Sequence, residues 1–294
     1  MTTLATRPPR FLDMGVVRVM WWREITRYRR DRSQIFGAVS RTLLWLVILG
    51  FGLGATLKEI EGYTYAQYIL PGVITLNILF ASLQSAVALV WDRQVGLLRE
   101  VLVSPAPMFS VALGKIFGGA SVAMIQGSIP LAVAPVLGLP LSPAQVVLAL
   151  GVMFVMGVSF TAAGVVLASR MTTFEGFGAI SNGVIQPLYF LSGAIFPLKG
   201  VIGGVGFLDL PDALREELRR HGIYAIGGGW MVELPVWLKA LVHANPVSYL
   251  LDLLRLTLLG YSQLPMAANL ACAAALPLVA VVLATRAMSA SRGN

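Results

Sequence analysis

Charge is what this chain has least of. Of its 294 residues only 12% are charged and 57% are hydrophobic, where an ordinary soluble domain carries about a quarter charged. A soluble core so apolar would have no water-compatible surface. Cysteine is nearly absent: Cys272 alone excludes an intrachain disulfide and a cysteine-based zinc site, and reads as a small packing residue. The two histidines, His221 and His243, both fall in one long segment outside the apolar runs. No run carries a Ser–His pair or an HExxH arrangement, so an intramembrane hydrolase has no support. There is no GxxxxGK(S/T) phosphate loop, the backbone cradle and lysine with which P-loop enzymes hold ATP, so the chain is expected not to be an enzyme and to carry no cofactor or metal. Carboxylates are missing from the middles of the apolar runs, with Asp92, Glu100 and Glu175 at their ends, which disfavours side-chain coupling to protons or sodium. Nor is there a short apolar region with a small-residue cleavage site near the start. Eight arginines interrupt the first 32 residues, and nothing there reads as removable.

Long apolar runs, by contrast, are plentiful. Six of them cover about Ile35 to Leu57, Ile69 to Trp91, Val111 to Val133, Val146 to Leu167, Phe177 to Phe196 and Met266 to Ala287. A helix of about 20 residues crosses the roughly 30 Å hydrocarbon core, where a backbone must satisfy its own hydrogen bonds. The expected fold is therefore an all-α membrane protein with six transmembrane helices. The net charge of +8 sits at the ends of these runs and in the N-terminal arm, where anionic lipid headgroups are the nearer partner and nucleic acid is not expected. Arg7, Arg10, Arg18, Arg23, Arg27, Arg29, Arg30 and Arg32 precede the first run; Arg93, Arg99 and Lys115 flank the second connection, Arg170 the fourth, and Arg286 and Arg292 the tail. The first connection has only Lys58 and the third has no cation, so the bias predicts both termini and the even-numbered loops on the cytoplasmic side.

Residues 1–34 form an arm with a face of its own. Met14, Val17, Trp21, Ile25 and Tyr28 recur at steps of three and four, with Trp22 beside them, while Arg23, Arg27 and Arg30 with Glu24 and Asp31 take the other side. That pattern predicts an amphipathic helix lying in the membrane interface. Arg41, about two turns into the first run, is expected to snorkel to the headgroups, the alternative being a protein interior. Between 197 and 265 the pattern changes. Pro211 to His221 is expected to be a charge-dense helix with Glu216 and Arg220 at i, i+4, followed by a break at Gly227 to Gly229. Asn245 and Pro246 then signal the start of a helix through Leu259, about 20 Å long and too short to cross, expected on the outer face.

The second connection, 91–107, reads WDRQVGLLREVLVSPAP. Asp92 is placed to cap a helix, Val95, Leu98 and Leu102 share one face, Arg93, Arg99 and Glu100 another, and Pro105 and Pro107 end it. A short rigid amphipathic helix between two crossings is either a cytoplasmic handle or an interfacial anchor. This loop with its Gly96 and Ser104–Pro105, the run YILPGVI at Tyr68 to Ile74, LSGAIFPL at Leu191 to Leu198 and ANPVSYLLDLLR at Ala244 to Arg255 together resemble the permease subunits of ABC-2-type transporters, in the branch with drug-resistance, nodulation-factor and polysaccharide or lipid exporters. The resemblance covers nearly the whole chain, 1–294, as one transmembrane domain. It implies that the arm is a connecting helix and that Asp92 to Ser104 is a coupling helix docking on a separate ABC ATPase, where ATP and magnesium would bind. Two permeases, hence a second copy of this chain, and two ATPases would complete an exporter in the bacterial inner membrane. In place of the family's acid and Gly-Thr-Leu-acid, this loop has Gln94 and Gly96-Leu97-Leu98-Arg99, and the stretch from Lys199 to Glu233 is longer than in compact members.

Polar groups at membrane depth are the candidates for lining a path, because an unpartnered one in hydrocarbon is costly. Asn182, Gln186 and Tyr189 share one face of the fifth run, and Asn77 and Gln84 lie seven apart in the second. Interhelical hydrogen bonding is the competing reading. Gly114 and Gly118 form one GxxxG, a helix-packing signal. The expected function is export of an amphipathic drug, lipid or lipid-linked glycan; the alternative is a self-contained channel or secondary carrier.

Overall fold

A computed structural model describes residues 12–54, 60, 62–94, 106–171, 173–196, 201–203, 216–217, 219–221, 223–226, 229–232 and 235–290. In chain order the helices are α1 (Met14–Arg30), α2 (Arg32–Trp45, continued by a π-helical stretch Leu46–Leu53), α3 (Tyr65–Gln94), α4 (Met108–Val133), α5 (Pro143–Arg170), α6 (Phe174–Ile180), a π-turn Ser181–Ile185, α7 (Gln186–Phe190), α8 (Val236–Ala244), α9 (Pro246–Leu259) and α10 (Met266–Ala290). Among the described residues five helices are long and apolar enough to cross a membrane: Arg32–Gly50, Tyr65–Asp92, Met108–Leu137, Pro143–Arg170 and Met266–Ala290. The remaining expected crossing is shorter than its apolar run. Its helical backbone spans Phe174 to Phe190 in three pieces and stops at a turn, where Gly193 adopts φ 76°, a left-handed conformation that costs glycine nothing.

Helix α3 is the centre of the molecule. It packs on both α4 and α5, which pack on each other, and α10 lies along α5. Tyr68, Ile69, Leu70, Val73, Ile74 and Ile78 are wholly buried in this core. Only 11% of the α10 window and 22% of the α2 window are buried, against 78% for α3, so α2 and α10 present their apolar side chains outward. Local signals set several helix starts. Ser142 and Gln145 form a reciprocal capping box ahead of α5, and Asn245 accepts from the Val247 amide with Pro246 in the first turn of α9, as the Asn-Pro signal predicts.

The segment between 197 and 265 departs from the expectation of short helices alone. Three strands, β1 (Val201–Gly203), β2 (Ile223–Ile226) and β3 (Gly229–Val232), form an antiparallel sheet in the order β1-β3-β2, with Ile226 opposite Gly229. Gly229, the last of the glycine run, opens β3. Strands of three and four residues are too short to impose a readable alternation. The expected helix at Pro211 to His221 lies largely outside the described residues.

Candidate functional site

Helix α1 is clamped to the bundle. A Cβ added at Gly114 of α4 would sit 2.6 Å from both the Val17 carbonyl oxygen and the Met20 Cβ, and one at Gly118 would sit 2.7 Å from the Glu24 Cβ. The GxxxG stripe therefore seats the arm. Trp21 donates from Nε1 to Ser121 Oγ at 3.0 Å, and the Asp13 amide donates to Ser110 Oγ at 2.8 Å. Glu24, expected on the water-facing side, is instead buried and pairs with buried Lys115 at 2.9 Å, while Ser85 Oγ donates to its other oxygen at 3.4 Å. Burial pushes the Glu24 carboxyl up, but the charges of Lys115 and Arg27, the Lys115 hydrogen bond and the Arg23 charge outweigh it and hold it below the usual range. Trp22 and Arg30 are exposed, and Arg27 reaches toward Glu24 at 3.8 Å.

Asp92, read from the sequence as a cap for the segment after it, lies in the last turn of α3, and its carboxylate forms an ion pair with Arg23 of α1. Arg93 belongs to the same turn, and its side chain and all of Val95, Gly96, Leu98, Arg99, Glu100 and Leu102 lie outside the described residues. Beside Asp92 a wide groove of about 420 Å³ is bounded by Arg27, Asp31, Gln34, Gln84, Trp91 and Phe174. Asp31 joins α1 to α2: it accepts from Ser33 and from the Gln34 amide and side chain, and the Ser33 hydroxyl bond, working against desolvation, leads in lowering its carboxyl's pKa.

Further along the same side of α3 is a smaller cavity of about 120 Å³. The three candidates from the fifth apolar run, Asn182, Gln186 and Tyr189, all line it, facing Arg41, Trp45 and Phe80. Gln186 donates to Asn182 at 3.4 Å, and the Tyr189 hydroxyl donates to the Gly72 carbonyl at 3.1 Å. Asn77 does not line it but holds it from behind: its Oδ1 accepts from Arg41 Nε and Nη2 at 3.2 and 3.0 Å, and its Nδ2 donates to Thr42 Oγ1. Gln84, seven residues on, lines the wide groove instead. Arg41 therefore does not snorkel. Three acceptor contacts and the face of Phe80, 4.5 Å from the guanidinium carbon, hold it inward, because in a protein interior those partners replace the water it would otherwise seek.

Three of the four motifs that carry the resemblance meet at one place. Arg255, fully buried, donates through Nη2 to the Gly193 carbonyl at 2.8 Å and lies over the Tyr68 ring at 4.8 Å; a Cβ on Gly72 would sit 2.5 Å from the Ala194 carbonyl oxygen. Asp252, one turn before Arg255, accepts from Ser262 Oγ, the Gln263 and Leu264 amides and Asn269 Nδ2 at 2.6 to 3.0 Å. YILPGVI, LSGAIFPL and ANPVSYLLDLLR are thus one packed node. Sequence reasoning missed its charged pair, for which the only signal was a carboxylate and an arginine three apart on the buried face of α9.

The sequence is similar to those of known transport and nodulation proteins. An inner membrane transport permease, YadH, of Escherichia coli K12 is 22% identical over 252 residues, covering 84% of each chain. Nodulation protein J of Sinorhizobium fredii is 23% identical over 200 residues, 67% of this chain and 72% of that protein, and its counterpart in Rhizobium meliloti is 24% identical over 187 residues, 63% and 71% respectively. The family model described as ABC-2 type transporter matches residues 15–207, from α1 through the first strand. That match takes in well over half of the sequence, and the chain belongs to the ABC-2 type transporter family.

Proposed function

We propose that the chain is the membrane subunit of an ATP-driven exporter, with a separate ABC ATPase supplying the energy and an amphipathic drug, lipid or lipid-linked glycan as cargo. The observation that carries this reading is the family match over residues 15–207; the relatives' names, an inner membrane transport permease and a nodulation protein, point the same way. Residues 1–294 act as one transmembrane domain in a bacterial inner membrane, with both termini cytoplasmic as the arginine distribution favours. The sixth crossing runs through Phe174 to Phe196. Two copies of the chain and two ATPases, which hold ATP and magnesium, complete the assembly.

Force enters at residues 92–104. The segment follows directly on Asp92, whose carboxylate is tied to Arg23, while α1 is pinned to α4 by Lys115, Ser121 and the two glycines. A push from the ATPase on this segment moves the inner ends of α1, α3 and α4 as one body. The wide groove and the smaller cavity along α3 are the surfaces such a movement would open to cargo, with Asn182, Gln186, Tyr189 and Gln84 on the walls. Replacing Leu98 and Leu102 together by Asp tests this. The chain should still assemble in the membrane, and ATP-dependent uptake of cargo into inside-out vesicles should fall at least about tenfold, the effect of removing one well-packed contact patch worth about 1.4 kcal/mol or more. Unchanged uptake rejects the coupling role.

A further inference from the structure

We infer that the small cavity beside α3 is a binding site for an anionic oxygen group, a phosphate or carboxylate, borne on an amphipathic molecule. The charge on its wall decides the sign. Arg41 is the charged side chain that lines it; the other polar walls, Ser181, Asn182, Gln186 and Tyr189, are neutral. Among the described residues no carboxylate lies within ion-pair distance of Arg41, and its three donated bonds, all from Nε and Nη2, go to the neutral amide oxygens of Asn77 and Gln126. Nη1 donates to none of the described residues. A guanidinium held about 14 Å along a membrane-crossing helix without a counter-charge is expensive, and an arriving anion relieves that cost with charge-assisted bonds in a setting of low dielectric. Asn182 and Gln186 stand opposite with amide groups that can serve the remaining oxygens.

Size and surroundings make the ligand amphipathic. About 120 Å³ holds one such headgroup but no long chain, and the remaining wall is Trp45, Leu76, Leu79, Phe80, Leu83 and Phe190. Close in the chain to wall residues Trp45 and Asn182, the side chains of Leu44, Val47, Ile48 and Val184 are exposed and apolar, and an acyl or polyprenyl tail could lie on them. Each side of the cavity carries a π-helical segment, Leu46–Leu53 directly after Trp45 and Ser181–Ile185 containing Ser181 and Asn182. Such segments shift the register of a helix face and recur at functional sites. The site stands on this geometry alone; identifying its occupant as cargo rests on the transport reading above.

The test uses the full-length chain without any ATPase. It is reconstituted in phosphatidylcholine vesicles doped with either dibrominated phosphatidylglycerol or dibrominated phosphatidylcholine, and quenching of Trp45 is taken as the difference from the Trp45→Phe protein. The site predicts that the anionic lipid quenches on the order of tenfold more effectively at equal mole fraction, as one charge-assisted contact would give. Arg41→Gln should bring the two lipids to parity and Arg41→Lys should keep most of the preference. Excess inorganic phosphate that leaves the preference intact assigns the site to a lipid-borne anion; phosphate that abolishes it keeps the anion site and assigns it to an aqueous one. Equal quenching by the two lipids in the wild-type protein overturns the proposal, whether or not Arg41→Gln folds, and so does an undiminished preference in folded Arg41→Gln. In a separate uptake assay with the candidate ABC ATPase and ATP added, absence of uptake by a protein that keeps the preference removes the transport reading and leaves the site.

Discussion

Glu24 and Lys115 each bring a full charge to a place that water does not reach, with side chains 4% and 1% exposed. Each makes the other tolerable, so removing one leaves the other stranded, at a cost of about 3–5 kcal/mol. Glu24→Gln or Lys115→Met alone should therefore lower the thermal unfolding temperature of the purified protein markedly, and the double replacement should be less damaging than either single change; additive losses would contradict the pairing. The pair also fixes a pH dependence. The folded-state value for Glu24 lies below its ordinary 4.5, so between the two the unfolded chain binds more proton and stability rises with pH. The contribution is fully present above about pH 4.5 and is lost as the pH falls through the lower, folded value. A melting temperature that falls in acid for the wild type, and less steeply for the Glu24→Gln, Lys115→Met double variant, would reveal it. Glu24 was legible in spacing but not in residue type: it lies three after Trp21 and four before Tyr28, on the buried face, yet a carboxylate invites assignment to water. Arg41 misleads in the same way, because nothing in its local sequence announces that Asn77 and Gln126 of two other helices will meet it.

At the scale of elements, the long crossings were readable because some 20 consecutive apolar residues admit few structures. Their ends were less so. The first run ends as a π-helical stretch from Leu46, and the run from Phe177 loses its helix at Phe190, ahead of the left-handed turn at Gly193. The arm's helix was visible as a helix, whereas its seat on α4 was not, since GxxxG alone does not say which neighbour it admits. Gly118→Leu should lift α1 from α4, raising hydrogen exchange of the α1 amides about tenfold or more while α5 stays protected, as expected when an overpacked contact costs 1–3 kcal/mol. Protection in α1 equal to wild type would show that the glycine is not needed there. On the other side, Asp252→Ala should strip the 262–269 turn of its acceptor and strand Arg255, with a loss of about 3–5 kcal/mol seen as an early melt. A melt unchanged from wild type would deny Asp252 that role.

For the whole molecule, the described residues divide into a centre of α3, α4 and α5, an arm fastened to the N-terminal half of α4, and two helices, α2 and α10, whose apolar side chains face outward. At this scale the proposed separation of path from fuel takes its sequence support from the lack of a GxxxxGK(S/T) phosphate loop. The decisive measurement is transport by the purified chain in proteoliposomes, with and without its candidate ABC ATPase, under ATP and under imposed proton or sodium gradients. The account predicts accumulation of an amphipathic cargo only when ATPase and ATP are both present. Movement of cargo by the chain alone, driven by an ion gradient, would contradict it.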